Sequence, residues 1–219
     1  MIRLAIFDCD GTLVDSQAAI CAAMEESFAA AGLPPPSREQ TRRIVGLSLV
    51  EAMQAILPNA DHALHHSLAE GYKTAFQHMR GRGQVEEPLY DGIPELLDTL
   101  EADGWLLGVA TGKSDRGLGL CLACHGLSRR FVTLQTADRH PSKPHPSMIH
   151  AALADAGAEP HLSMMIGDTS YDMRMAKAAG VTAIGVAWGY HAPEELIAAG
   201  ADFVAHHPCE VAEFMKASA

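Results

Sequence analysis

Phe7-Asp8-Cys9-Asp10-Gly11-Thr12-Leu13-Val14-Asp15 closes the first hydrophobic run of the chain, residues 2–7. Side chains alternate along extended backbone, so carboxylates at i and i+2 point the same way and are expected to meet above a strand's end. Like charges that close repel unless a cation sits between them, and hard oxygen ligands favour Mg²⁺. Gly11 then allows the backbone to turn. The same letters also describe a solvated Asp-x-Asp-Gly turn, so the rest of the chain must separate the two readings.

Working outward, short β-like runs recur at 105–110, 131–134, 162–166, 181–186 and, more weakly, 202–204, with helical stretches between them. That alternation predicts an α/β fold built on a parallel sheet. Helix punctuation agrees: Pro94 stands just inside one start and Gly104 after its end, Gly157 follows 148–156, and Gly180 follows 173–179. The stretch 16–84 differs, because it carries no strand signal. Ile20, Met24 and Phe28 recur before Gly32 and Pro34–Pro36; Ser48 and Glu51 form a capping-box pattern; Leu64, Leu68, Tyr72, Phe76 and Met79 mark one face of a further helix ended by Gly81-Arg82-Gly83. A helical block inserted there would sit over the carboxyl ends of the strands, where such sheets bind ligands. Helices that merely cover one sheet face would show the same pattern. The expected organisation is an α/β core from 1–15 and 85–219 and a small helical cap from 16–84.

A second acidic cluster, Ile166-Gly167-Asp168-Thr169-Ser170-Tyr171-Asp172, follows the run at 162–166. If Thr169 or Ser170 opens a helix, Asp168 ends a central strand and Asp172 lies one turn along on the same side. Asp172 also suits an ordinary helix-capping role. Between the two clusters lie two candidate anion-holding elements. Gly108-Val109-Ala110-Thr111-Gly112-Lys113-Ser114 ends a strand in a hydroxyl and a glycine whose N–H can approach an anion. It is not a Walker loop, since only three residues separate Gly108 from Gly112. Ser142-Lys143-Pro144-His145-Pro146 holds one lysine in a stiff, non-helical stretch ahead of a helix from Ser147.

The remaining signals exclude more than they suggest. In 219 residues, 16 Lys+Arg against 27 Asp+Glu leave a net charge of −11, so nucleic acid is disfavoured as a bulk electrostatic partner. No stretch approaches the roughly 18 apolar residues of a membrane span, and the N-terminus lacks a signal-peptide core, so a cytoplasmic protein is expected. Five cysteines without framework spacing suit a reducing compartment. Cys121-Leu122-Ala123-Cys124-His125 matches a haem-attachment pattern, but it ends a leucine-rich helix and no export signal accompanies it, so buried structural thiols are expected. His65-His66 and His206-His207 lack a spaced partner set for zinc and read as surface residues.

Asp8-x-Asp10-Gly-Thr, Thr111, Lys143 and Gly167-Asp168-Thr-x-x-Asp172, in that order, resemble the haloacid dehalogenase superfamily across essentially the whole chain. The position of the helical insert, and the tail Gly185-Val186-Ala187-Trp188-Gly189-Tyr190-His191, are similar to its phosphoglycolate phosphatase and β-phosphoglucomutase branch. The resemblance implies a Rossmann-like parallel core and a Mg²⁺-dependent phosphatase of small phosphomonoesters, phosphoglycolate-like or sugar phosphates. It implies that Asp8 is the nucleophile and carries an aspartyl-phosphate, and that Asp10 is the general acid and base. Thr111 and the Gly112 N–H would bind phosphoryl oxygens and Lys143 would offset charge. Mg²⁺ would be held by Asp8, the backbone carbonyl of Asp10, Asp168 and Asp172. Dehalogenases of this superfamily carry an aromatic residue where Asp10 stands, and phosphonatases a small one, so Asp10 favours phosphate esters.

Arg42 and Arg43 precede Val45-Gly46-Leu47-Ser48, which resembles the branch's substrate-facing cap loop; Arg43 and Gly46 are the candidate cap contacts, Arg43 for a second anionic group, although solvated arginines on a helix read equally well. Cap motion about linkers near Asp15 and 84–89 would admit substrate. A phosphomutase with the same core is the closest alternative, and a signalling phosphoacceptor the more distant one. The expected partner is a small phosphorylated metabolite, with no nucleic acid or membrane, on a monomer or small homo-oligomer.

Overall fold

The computed structural model describes residues 2–218. β1 (Arg3–Phe7) is followed by four helices, α1 (Gln17–Ala30), α2 (Arg38–Arg43), α3 (Leu49–Ile56) and α4 (His62–Gly81). Regular alternation follows: α5 (Ile93–Ala102), β2 (Trp105–Thr111), α6 (Asp115–Cys124), β3 (Phe131–Thr136), α7 (Ser147–Ala156), β4 (Ser163–Gly167), α8 (Ser170–Ala179), β5 (Thr182–Val186), α9 (Pro193–Ala198), β6 (Phe203–Ala205) and α10 (Pro208–Ala217). All five strand pairings are parallel, in the order β3-β2-β1-β4-β5-β6. The expected α/β class is therefore observed.

The strands read as continuous apolar runs because both sheet faces are buried. Leu4 and Ile6 of β1 join one cluster with Met148 and Met165; Ala5 and Phe7 join the opposite one with Leu97, Leu107 and Val109. Strand order reverses between β1 and β4: the chain builds β2 and β3 on one side of β1, then returns to β4 on the other. The crevice at the carboxyl ends of that pair is where open parallel sheets bind ligands, and Asp8 and Asp168 follow those two ends.

Helices α1, α3 and α4 share a cluster of their own, in which Met24, Phe28, Met53, Leu68 and Ala69 are buried. The chain enters and leaves this helical block along two adjacent segments. Asp15 N–H donates to the Pro88 carbonyl at 2.8 Å, and Tyr90 N–H to the Leu13 carbonyl at 3.1 Å.

Three local expectations change. The capping box expected at Ser48 and Glu51 is not closed, because Ser48 makes no side-chain cap bond and donates its own N–H to Ser142 Oγ at 2.9 Å. A reciprocal box instead opens α2, between Ser37 and Gln40. His65, expected at the surface, is buried with Nε2 2.9 Å from the Leu57 carbonyl; His66, His206 and His207 are exposed. Of the two thiols expected to be buried, Cys121 is, with its Sγ 3.9 Å from that of Cys9, whereas Cys124 is exposed. No helix among the described residues is long and apolar enough to cross a membrane.

Candidate active site

The carboxylates of Asp8, Asp168 and Asp172 converge above the β1 and β4 ends, one oxygen of each within 4.8 Å of the others, and all three are buried. Lys143 is the cation among them, its Nζ 2.9 Å from Asp8 Oδ1 and 2.7 Å from Asp172 Oδ1. Asp172 takes the capping role its position suggested and makes a second contact besides. It closes a capping box with Thr169 through Oδ2 and pairs with Lys143 through Oδ1.

Asp168 accepts hydrogen bonds from the Thr12 hydroxyl and the Tyr190 N–H, each at 2.9 Å. Backbone must pass very close for this. A Cβ on Gly11, whose φ is +83°, would fall 2.2 Å from Asp168 Oδ2. Only glycine fits there, both for that contact and for its left-handed conformation.

Three ionised carboxylates against one ammonium would leave two uncompensated negative charges in a desolvated site. The imbalance shows in the acidities. Burial, reinforced by Asp172 and only partly offset by Lys143, pushes Asp8 from 3.8 up to about 7. Asp168 is raised well above the usual carboxylate range by burial and then by the charges of Asp8 and Asp172. Burial alone would lower Lys143, but Asp172 and Asp8 outweigh it and raise the ammonium's pKa. Asp8 Oδ2 is buried and accepts no hydrogen bond among the described residues. An orphaned oxygen, two carboxyls that hold their protons for want of a second cation and an all-oxygen donor set fit a divalent hard cation.

Metal binding here should be pH-dependent in a stated direction. Asp8 keeps its proton to about pH 7 when folded but releases it near 3.8 when unfolded. Between those limits the folded chain binds more protons, so metal-free stability falls as pH rises. A divalent cation competes with those protons for the same oxygens. Added Mg²⁺ is therefore expected to raise the melting temperature more at pH 8 than at pH 5, read by thermal denaturation; equal shifts at both would count against the trio as the metal site.

The Asp10 carboxylate, expected to meet that of Asp8, is held by partners outside the trio. The chain leaves β1 at Phe7, and Leu13 and Val14 fold back to donate their N–H groups to the Cys9 carbonyl at 2.9 and 3.0 Å. Strand alternation no longer applies in that turn. Asp10 accepts from the Ser16 hydroxyl, and Lys113 Nζ lies 2.9 Å from its Oδ1. Lys113 also pairs with Glu87 at 2.6 Å, and Glu87 with Arg80 at 2.6 Å. Although burial alone would lower the Lys113 ammonium's pKa, the charges around it, Asp10 foremost, raise it well above the usual value.

Asp8 and Asp10 open into a cavity of 590 Å³ that Thr111, Gly112 and Gly46 also line. A Cβ on Gly112 would fall 2.8 Å from the Leu47 carbonyl oxygen, so a side chain there would drive off the 45–48 loop. Arg43 is the candidate that does not reach this cavity. It pairs with Glu195 of α9. Its carbonyl accepts from Tyr171 OH at 3.1 Å and from His191 Nε2 at 3.3 Å; the His191 Nδ1 accepts the Ser170 N–H, which places the ring proton on Nε2.

Thr12, Lys113 and Tyr190 lie inside the sequence motifs but carry no role legible there, and Glu87 and Arg80 belong to no motif. Tyr190 contributes a backbone N–H, which no residue letter could announce. Lys113 stood beside Thr111 in the quoted motif, but its partners lie 103 and 26 positions away.

The family profile described as haloacid dehalogenase-like hydrolase matches residues 5–186. The chain is 36% identical over 203 residues to "Probable phosphatase IndB" of Dickeya dadantii, covering 91% of this chain and 87% of that protein. It is 28% identical over 223 residues to a phosphoglycolate phosphatase of Vibrio parahaemolyticus, covering 100% and 98%. Among solved structures, one described as a predicted phosphatase from Clostridium acetobutylicum superposes with a TM-score of 0.89 at 26% identity over 99% of both chains.

Proposed function

Because the chain belongs to the haloacid dehalogenase-like hydrolases and is a hydrolase of phosphate esters, we propose that it cleaves small phosphomonoesters with Mg²⁺ through an aspartyl-phosphate on Asp8. The observation that carries this reading is the buried Asp8–Asp168–Asp172 trio with Lys143 as its single cation.

Thr111 Oγ1 and the Gly112 N–H bind phosphoryl oxygens at the cavity floor, and the Lys143 ammonium offsets charge shared by nucleophile and phosphate. The Asp8 carboxylate attacks phosphorus as the ester oxygen departs, and Asp10 protonates that alkoxide. Asp10 then takes a proton from the water that cleaves the aspartyl-phosphate. Asp8, the Asp10 carbonyl, Asp168 and Asp172 would hold Mg²⁺, which would supply charge neutralisation for the phosphoryl group. Residues 16–84 act as a cap hinged at the paired segments near Asp15 and Pro88. Ser16, which holds Asp10, lies at that hinge, so cap motion and release of the acid are coupled.

A panel of phosphomonoesters assayed with and without Mg²⁺ tests the reading: metal-dependent multiple turnover supports it, and no phosphate release from any ester overturns it. Release from sugar phosphates without a bisphosphate intermediate separates it from a mutase. Asp10→Asn is expected to lower kcat/KM for an alkyl phosphate by about 10²–10⁴-fold. The loss should be smaller for 4-nitrophenyl phosphate, whose leaving group needs no proton. Equal losses on both would remove Asp10 from the acid role.

A further inference from the structure

Away from Asp8 and Asp10 the 590 Å³ cavity runs beneath the helical block, where its wall is formed by Ile20, Met24, Leu49, Ala52, Tyr72 and Phe76. Its volume lies within the range of about 300–1,000 Å³ typical of pockets that enclose drug-sized ligands. A two-carbon acid attached to phosphate would leave most of it to water against apolar side chains. Tyr72 and Phe76 stand one turn apart on α4, with ring centroids 5.8 Å apart, and present an aromatic surface to this space.

Of the cations that border the cavity, the enclosed Lys113 and Arg80 are committed already, whereas Lys73 is held only by an exposed pair. Lys113 is paired with Asp10 and Glu87, Arg80 with Glu87, and Lys73 with Glu70. The Arg80 guanidinium and the Lys113 ammonium also lie 5.5 and 5.8 Å from the Phe76 ring centroid. Arg116 is exposed at the rim, and Arg43 is turned to Glu195. A carboxylate on the leaving group would therefore have to break an existing buried pair to gain one of the enclosed cations, whereas an uncharged apolar group displaces only water.

Resting on the phosphatase reading, we infer that the preferred substrates are phosphomonoesters of bulky, largely apolar, uncharged alcohols, aromatic ones above all, with Phe76 and Tyr72 as specificity-determining residues. Phosphoglycolate is a poor substrate on this inference.

The test measures kcat/KM with Mg²⁺ for ethyl, butyl and 2-phenylethyl phosphates, whose alcohols are similarly poor leaving groups, beside phosphoglycolate. Efficiency is expected to rise about fourfold for each methylene buried, with 2-phenylethyl phosphate the best of the four. Phe76→Ala should lower the ratio of 2-phenylethyl to ethyl phosphate efficiency by about tenfold or more, and Phe76→Leu by less. A flat series, or phosphoglycolate equal to or better than 2-phenylethyl phosphate, overturns this inference while leaving the phosphatase reading intact. No metal-dependent release from any of the four, nor from 4-nitrophenyl phosphate, removes both.

Discussion

Asp8→Asn is expected to fold normally and to lose turnover by about four to six orders of magnitude, the scale seen when a covalent nucleophile is removed. The amide conserves size but cannot form the proposed aspartyl-phosphate. Two further readouts distinguish loss of a nucleophile from general damage. Asp8 is buried beside Asp172, and its carboxyl is pushed up to about 7. At pH 8 the wild-type folded state carries that charge against its tendency to keep the proton, so the neutral amide should raise the metal-free melting temperature. It should also shrink the shift produced by Mg²⁺, since one ligand charge is gone. A variant with a lower metal-free melting temperature and an unchanged Mg²⁺ response would contradict the charge balance assigned to the site.

The second large effect is expected from Lys143→Met. Nζ sits between Asp8 and Asp172 with its side chain fully enclosed. Methionine approximates the shape and leaves three buried carboxylates without a cation. Breaking a buried pair in this way costs about 3–5 kcal/mol, to be read from urea denaturation. If Lys143 offsets phosphate charge as proposed, its loss should lower kcat by about 10²–10³-fold. Mg²⁺ should recover part of the stability by replacing the lost positive charge, and it should recover less of the activity. A variant as stable and as active as wild type would mean that Lys143 is not the counter-ion of this site.

Much of the fold was legible because its signals are short-range. The six strands lie within a residue or two of the apolar runs, and Gly104, Gly157 and Gly180 follow their helices at positive φ. The acidic trio was legible for the same reason: Asp8 and Asp168 follow strand ends, and Asp172 sits in the first turn of α8. What failed involved competition between partners remote in sequence. Ser48 had the letters of a helix cap but gives its N–H to Ser142, and α2 begins with its own box eleven residues earlier, at Ser37. His65 looked like its exposed neighbour His66, yet it lies on the packed side of α4. Arg43 had a plausible anion to meet in the cavity and instead meets Glu195.

The sequence alone determined the parallel α/β core, the helical block between its first two strands, and the acidic and lysine residues at the strand ends. Backbone periodicity, capping and turn formation are encoded within a few residues, so they can be read locally. Tertiary structure decided how the charges are distributed. It gave Asp10 to Lys113 and Ser16, turned Arg43 outward, and left an aromatic-walled cavity whose enclosed cations are already paired. Coulomb energy and desolvation depend on which groups meet at a few ångströms in a buried site. Those meetings are set by chain packing across separations such as the 164 residues between Asp8 and Asp172, and no local pattern records them.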